Sequence, residues 1–300
     1  MSPGDRYVTP LGKKLPQIKS ESEQRREGVE LTMRWSDTTP RKFSYEVGFN
    51  MTYFNTLWKV KSDEALTSLM NPYKRQTNQT DYYGIGYLDT GLYQYIEDIL
   101  NSPRRLASNQ TKLGDIGYVD VNGDGKIDGE DQVRIGMPTK PHFTYGIDFS
   151  FSYEGFNLSG LFYGTGERYM TLGDRYQKGE SKYLYYQNQL NYWRPDNTNA
   201  DFPRISVSSG ANGSNNQVSS TYWMRDGSYI RLKNLQLSYD FKYKLLKKCD
   251  WLQMCRVNLS GSNLFTISGI SKFFDPETSS TSGDGYPVQR VYAIGLTIGF

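Results

Sequence analysis

Seven stretches of this chain alternate large apolar residues with small or polar ones, and that period of two constrains the fold more than any other feature. The clearest runs from Phe143 to Tyr153. There Phe143, Tyr145, Ile147, Phe149, Phe151 and Tyr153 fall on one face, and Thr144, Gly146, Asp148, Ser150 and Ser152 on the other. The last ten residues, VYAIGLTIGF, repeat it with Tyr292, Ile294, Leu296, Ile298 and Phe300 against Ala293, Gly295, Thr297 and Gly299. Val29–Trp35, Phe43–Tyr53, Phe156–Phe162, Leu235–Phe241 and Val257–Gly261 follow the same rule. Side chains of a strand point alternately to opposite sides, so such a sheet meets two different media. The stretches are roughly 9 to 13 residues long, against about five or six for an ordinary globular strand. One irregularity interrupts the pattern. Ile230 and Leu232 are even-numbered and Leu235 to Phe241 odd-numbered, so the phase slip near Lys233 and Asn234 predicts either a bulge or a strand that has already left the apolar medium there.

The links between stretches alternate in length. Trp35 to Phe43, Tyr153 to Phe156 and Lys242 to Cys255 are short, the last with room for a helical turn. The links at 55–141, 164–228 and 267–290 are long, and all fall at the same end of the strands. Loops of that length without structure of their own are uncommon in compact domains. Short turns at one end and long loops at the other is the plan of an outer-membrane barrel, with short turns periplasmic and long loops extracellular. Ser208–Ser220 and Ser279–Gly283 are low-complexity and sit in the long loops.

Composition fits an all-β chain. Of 300 residues, 25 are Tyr and only one, His142, is His. The mean hydropathy is −0.67 and no run of 18 apolar residues occurs, which excludes a transmembrane helix but not a barrel. A net charge of +3 argues against a nucleic-acid partner. Residues 1–10, MSPGDRYVTP, contain no apolar signal region, so either the protein is not exported or its signal lies upstream. Cys249 and Cys255 have no metal-ligand spacing and could be paired or free.

One motif carries chemistry. DVNGDGKIDGED follows the spacing of an EF-hand loop: Asp120, Asn122 and Asp124 at positions 1, 3 and 5, Gly125 at the sharp turn, and the Lys126 carbonyl at 7. Ile127 is the apolar anchor, with Asp128 at 9 and Asp131 at 12. Hard oxygen ligands in this order suit a structural Ca²⁺, weakened by Asp131 in place of the usual Glu. The alternative is an ion-free turn. No catalytic residues are identified: His142 begins a strand, and there is no P-loop, HExxH or CxxC. The loop aromatics Tyr183, Tyr185, Tyr186, Tyr192 and Trp193 could stack on cargo or pack their own loop.

Several signatures stand in a fixed order: REGVEL (26–31), GDIGYVDVNGDGKIDGED (114–131), IGMPTKPHFTYGIDFSFSYEGFNLSGLFYG (135–164), YIRLKNLQLSY (229–239), NLF (263–265), FDPE (274–277) and YPVQRVYAIGL to the final Phe (286–300). Together they resemble the C-terminal third of a SusC/RagA-type TonB-dependent outer-membrane transporter. The resemblance implies an antiparallel transmembrane β-barrel segment, about seven C-terminal strands of a 22-stranded barrel. It also implies that residues 1–300 lack the plug domain and the N-terminal strands. It implies a SusD-like surface lipoprotein partner, energy through TonB by way of a missing N-terminal region, glycan or peptide cargo, and contact with outer-membrane lipid. On this reading Asp148, Asn258 and Arg256 line the lumen. An isolated segment would leave two open edges and is expected not to transport alone. The competing reading is a soluble or surface-exposed, Ca²⁺-stabilised β-sandwich that binds carbohydrate. It differs in burying the apolar faces at 143–153 and 292–300 against a second sheet. A metal-dependent hydrolase would need a constellation that the sequence does not supply.

Overall fold

The computed structural model describes residues 2–8, 14–19, 22–62, 64–80, 84–105, 111–136, 141–177, 187–205, 215–249, 251–278, 281, 285–286 and 288–300. The chain forms two compact units. One holds residues 1–27, 54–139 and 171–224, and the other holds 28–53, 140–170 and 225–300.

The main sheet is an antiparallel meander whose spatial order equals its chain order. Its strands are β1 (Glu23–Thr38), β2 (Ser44–Val60), β3 (Phe143–Tyr153), β4 (Phe156–Gly166), β5 (Tyr229–Asp240), β6 (Met254–Ile267) and β7 (Val291–Gly299). All seven expected strands are present. The first two are longer than their sequence pattern, at 16 and 17 residues.

Register converts the one-strand alternation into rows that cross the sheet. Tyr45, Phe151, Leu158, Leu237, Leu259 and Ile294 are successive partners from β2 to β7. The adjacent row is Glu46, Ser150, Ser159, Gln236, Ser260 and Ala293. A slip by one residue would mix the two rows, so the pattern excludes odd slips and the short turns set the rest of the register. Small residues make room within the rows. A β-carbon at Gly160 would come within 2.5 Å of the Phe149 ring, so that ring covers bare backbone.

The phase break is a bulge. On β4, Leu161 and Phe162 pair with Asn234 and Leu232, leaving Lys233 as the extra residue. The β5–β6 register shifts at the same place, where Asn263 adopts a φ of 54°. The extra residue returns Leu235 to the face of Leu232.

Among the described residues no second layer covers the apolar rows. Ile294 is 76% exposed, Leu296 61% and Ile298 46%, while Phe149 and Phe151 stay only half-buried. This disagrees with the sandwich alternative, whose inner faces are closed. Eleven residues at about 3.4 Å each, tilted at the roughly 40° usual in barrels, span ~28 Å, close to the height of an outer-membrane apolar band. Aromatic rings collect at the short-turn end: Phe43 stacks on Phe151, Phe156 meets Tyr239 at 4.3 Å, and Trp251 stacks on Phe300 at 5.7 Å. Amphipathic rings at the ends of an apolar band match the interfacial girdles of barrels.

The short turns are as expected, at 39–43, at Glu154–Gly155, and at 241–253 with a 3₁₀ turn at Phe241–Tyr243. The long links are not bare loops. Residues 84–86 pair with 133–135 and 89–92 with 116–118. A short helix, Ile96–Asn101, is capped by Asp98, which accepts the N–H groups of Gln94 and Tyr95. Ile116, Leu172 and Trp223 are fully buried in this unit. Among the described residues no helix is long and apolar enough to cross a membrane.

Candidate functional site

The polar face of the sheet carries charge in paired form. Arg34 on β1 binds Glu46 of β2 at 2.9 Å and lies 3.6 Å from Asp148 of β3. Asp148 stands opposite Gly48, where any β-carbon would collide with its carboxylate. Arg256 on β6 lies 3.7 Å from Asp240 on β5. Asp148, Asn258 and Arg256, the expected lumen residues, thus all belong to the polar rows. The side chains of these pairs are 24–62% exposed, where an ion pair stabilises by about 1 kcal/mol or less. They set the chemistry of the surface rather than hold it together.

A stronger cluster sits where β5 and β6 meet the connection after β6. Arg231 is 1% exposed. Its guanidinium donates to Asp275 at 2.6 Å, Glu277 at 2.9 Å and the Thr266 hydroxyl at 2.7 Å. Lys233, the bulged residue, donates to Glu277 at 2.6 Å, and the Tyr229 hydroxyl donates to its other oxygen at 2.7 Å. Arg168 donates to the Pro276 carbonyl at 2.9 Å. Burial pushes the Glu277 carboxyl up, but the hydrogen bonds from Lys233 and Tyr229 and the charges of Arg231 and Lys233 outweigh it. The group is therefore held below the ordinary carboxylate range. Ile270 and Pro276 are buried alongside. The FDPE segment thus straps the connection to the sheet wall. The sequence signal for it was an Arg within a β-period stretch; its partner carboxylates, 44 and 46 residues away, could not be paired by spacing.

In the other unit the acidic turn is ordered by its own backbone. Asp120 accepts the N–H groups of Gly123, Asp124 and Gly125, and Asn122 accepts that of Asp124. Asp124 accepts from Lys126, and Asp128 from Glu130. Desolvation pushes the Asp120 carboxyl up, the N–H groups of Gly125, Gly123 and Asp124 outweigh it, and the group is held below its usual value. Asp131 is fully buried, with one oxygen taking the Val121 and Asn122 N–H groups and the other that of Asp128. Gly123 and Gly125 supply the left-handed backbone at φ 76° and 81°. Ile127, the apolar anchor, is buried. Asp120, Asn122 and Asp124 and the Lys126 carbonyl suit a hard cation in type. Position twelve does not, because both oxygens of Asp131 are engaged. Among the described residues no group of three or more His, Cys, Asp or Glu is placed to hold a metal.

Beside this turn lies a buried network absent from the sequence reading. Asp115, fully buried, pairs with Arg204 at 2.8 Å and accepts from Asn216 at 2.9 Å and from the Lys112 N–H. Asn216 also accepts the Ile116 N–H, and its carbonyl takes the Trp223 indole at 2.7 Å. Asn215 and Asn216 come from the stretch read as low-complexity, so its last residues are core rather than spacer. Trp193 is buried and donates to Gln94 at 2.8 Å, packing its own unit. Arg194 lies over the Tyr192 ring. Tyr183, Tyr185 and Tyr186 lie outside the described residues, as does most of Ser279–Gly283. His142 is buried edge-on to Tyr53, and Cys249 and Cys255 are free thiols.

The comparisons agree with this architecture. No protein-family model matches the chain. TonB-dependent receptor P3 of Formosa agariphila is 26% identical over 308 residues, covering 95% of this chain and 29% of that receptor. TonB-dependent receptor SusC of Bacteroides thetaiotaomicron is 24% identical over 289 residues, covering 91% of this chain and 26% of SusC. The chain thus spans between a quarter and a third of the length of these relatives. They are receptors, not enzymes. Among solved structures, a chain of the RagAB peptide transporter superposes with a TM-score of 0.63 at 19% identity, over 92% of this chain and 29% of that one. A chain of the RagAB peptide importer in its closed-closed state gives 0.65 at 20% identity, over 92% and 30%. Along nearly its whole length, in sequence and in strand meander, the chain is thus similar to a segment of TonB-dependent receptors such as SusC.

Proposed function

We propose that this chain forms part of the barrel wall of an outer-membrane active transporter in a Gram-negative bacterium. The observation that carries the reading is the pair of adjoining rows: six apolar side chains in register across β2 to β7 with no protein layer over them among the described residues, beside a row with no large apolar side chain. Lipid tails solvate the first and an aqueous lumen the second. The complete transporter draws on TonB, works with a SusD-like surface lipoprotein, and imports glycans or peptides; the likeness to SusC and to a peptide importer supports this. The short turns then face the periplasm, and the strapped 268–278 connection stands at the extracellular rim.

Membrane fractionation tests this. The chain is expected to stay with the outer membrane through an alkaline carbonate wash and to require detergent for release. Recovery in the aqueous supernatant as a folded monomer would return the sandwich reading.

The 120–131 turn takes Ca²⁺ weakly on the same proposal, through Asp120, Asn122, Asp124 and the Lys126 carbonyl, with an affinity of roughly 10⁻⁴ to 10⁻³ M as in extracellular modules. The turn is already folded by its own N–H groups, so the ion adds order rather than creating it. Isothermal titration should give Ca²⁺ heat in that range, and Asp124→Asn should abolish it. A flat titration through ~10 mM, well beyond that affinity range, eliminates the site.

A further inference from the structure

The turn between β1 and β2 carries a pocket that transport does not use. The Thr39 N–H donates to the Phe43 carbonyl at 2.8 Å, and the Lys42 N–H donates to the Thr39 carbonyl at 2.9 Å. Lys42 sits at a φ of 61°, a left-handed conformation that closes the turn. Thr39, Pro40, Arg41, Phe43 and Tyr153 line an open cavity of about 540 Å³. Its floor is aromatic: Phe43 stacks on Phe151 at 6.1 Å with 14° between the planes, and Tyr153 lies 6.4 Å from Phe43.

Charge over this floor is of one sign. Arg41 and Lys42 are exposed, and among the described residues no carboxylate pairs with either. Glu154, which follows Tyr153, is already taken up by Lys244 at 3.6 Å. An apolar aromatic floor below an uncompensated cationic rim complements a molecule with a hydrocarbon part and a net negative head. Free phosphate has nothing to place on the floor. A zwitterionic head brings a cation to a rim whose nearest free groups are cations.

We propose that this pocket binds an anionic phospholipid of the periplasmic leaflet. Arg41 and Lys42 hold the phosphate, with the planar guanidinium suited to two of its oxygens, and Phe43 and Tyr153 lie along the first part of the acyl chain. The proposal rests on the membrane-wall reading and adds a lipid preference to it.

The test is native mass spectrometry of the full-length protein released from nanodiscs of equal phosphatidylglycerol and phosphatidylcholine. Retained phosphatidylglycerol should exceed phosphatidylcholine about 25-fold, and Arg41→Gln with Lys42→Gln should bring the ratio near one, as expected from roughly fivefold for each of the two cations. Millimolar inorganic phosphate should leave the retained lipid in place. Equal retention of the two lipids by the unmodified protein overturns the proposal without any variant. An unchanged ratio in the double variant, or displacement by phosphate, overturns it as well. Failure to enter nanodiscs at all removes the membrane-wall reading and the lipid site with it. Entry without preference removes the lipid site alone.

Discussion

Arg231→Met is expected to free the 268–278 connection from the sheet wall, raising its amide exchange and protease cleavage by roughly 10² in the full-length protein. Breaking a buried ion pair from one side costs about 3–5 kcal/mol, because the remaining charge is left without compensation. Here the lower end applies. Asp275 and Glu277 keep about a fifth of their side-chain surface in solvent, and Lys233 still reaches Glu277 at 2.6 Å. The Thr266 hydroxyl loses its donor too, a smaller effect of about 1 kcal/mol. A double variant, Arg231→Met with Asp275→Asn, should recover much of the loss, since Glu277 keeps Lys233 as its partner and no carboxylate is left without a cation. Unchanged exchange across 268–278 in Arg231→Met would mean that the strap is held by Ile270 and Pro276 packing instead.

Acid should act on the same strap in a defined direction. The folded Glu277 carboxyl is depressed below its ordinary value of 4.5. Its contribution is therefore complete above that value and is lost as pH falls through the lower folded one. Protection of the 268–278 amides, taken relative to their intrinsic exchange rates, should fall as pH drops through the depressed Glu277 value and stay constant above 4.5.

Phe149→Arg is expected to lower folding stability in lipid vesicles by about 2–4 kcal/mol, the cost of a cation near the middle of the apolar band. Ser150→Arg, one residue along β3, should change it by less than about 1 kcal/mol, because that side chain joins the polar row beside Glu46. The Phe149 substitution also uncovers Gly160, its partner on β4. Denaturant titration of vesicle-inserted protein measures both. Equal losses would mean that the two faces do not meet different media, and the barrel reading would fall with that result.

Period-two alternation made most of the wall legible before any coordinates. Each strand's own residues specify which face is apolar, and the same alternation excludes every register slipped by an odd number of residues, while the short turns at 39–43 and 154–155 choose among the rest. Even the bulge at Lys233 was legible, because an odd-to-even change of phase has few other causes. The acidic turn was legible as a turn for a similar local reason: Asp, Asn and Gly at fixed offsets bond their own backbone.

What the sequence did not disclose were associations between distant residues. Nothing in the spacing of Arg231, Asp275 and Glu277 pairs them; only the hydrogen bonding of β5 to β6 brings the FDPE segment to that guanidinium. Asp115, Arg204 and Asn216 meet across separations of about a hundred residues, which no local rule encodes. The 120–131 spacing named possible ligands, but folding decided that Asp131 spends both oxygens on backbone N–H groups. Local periodicity determined the wall, since a strand's faces depend on its neighbours in sequence; the straps and buried charges were decided by tertiary structure, since a charge finds its partner only after the chain has closed the loop between them.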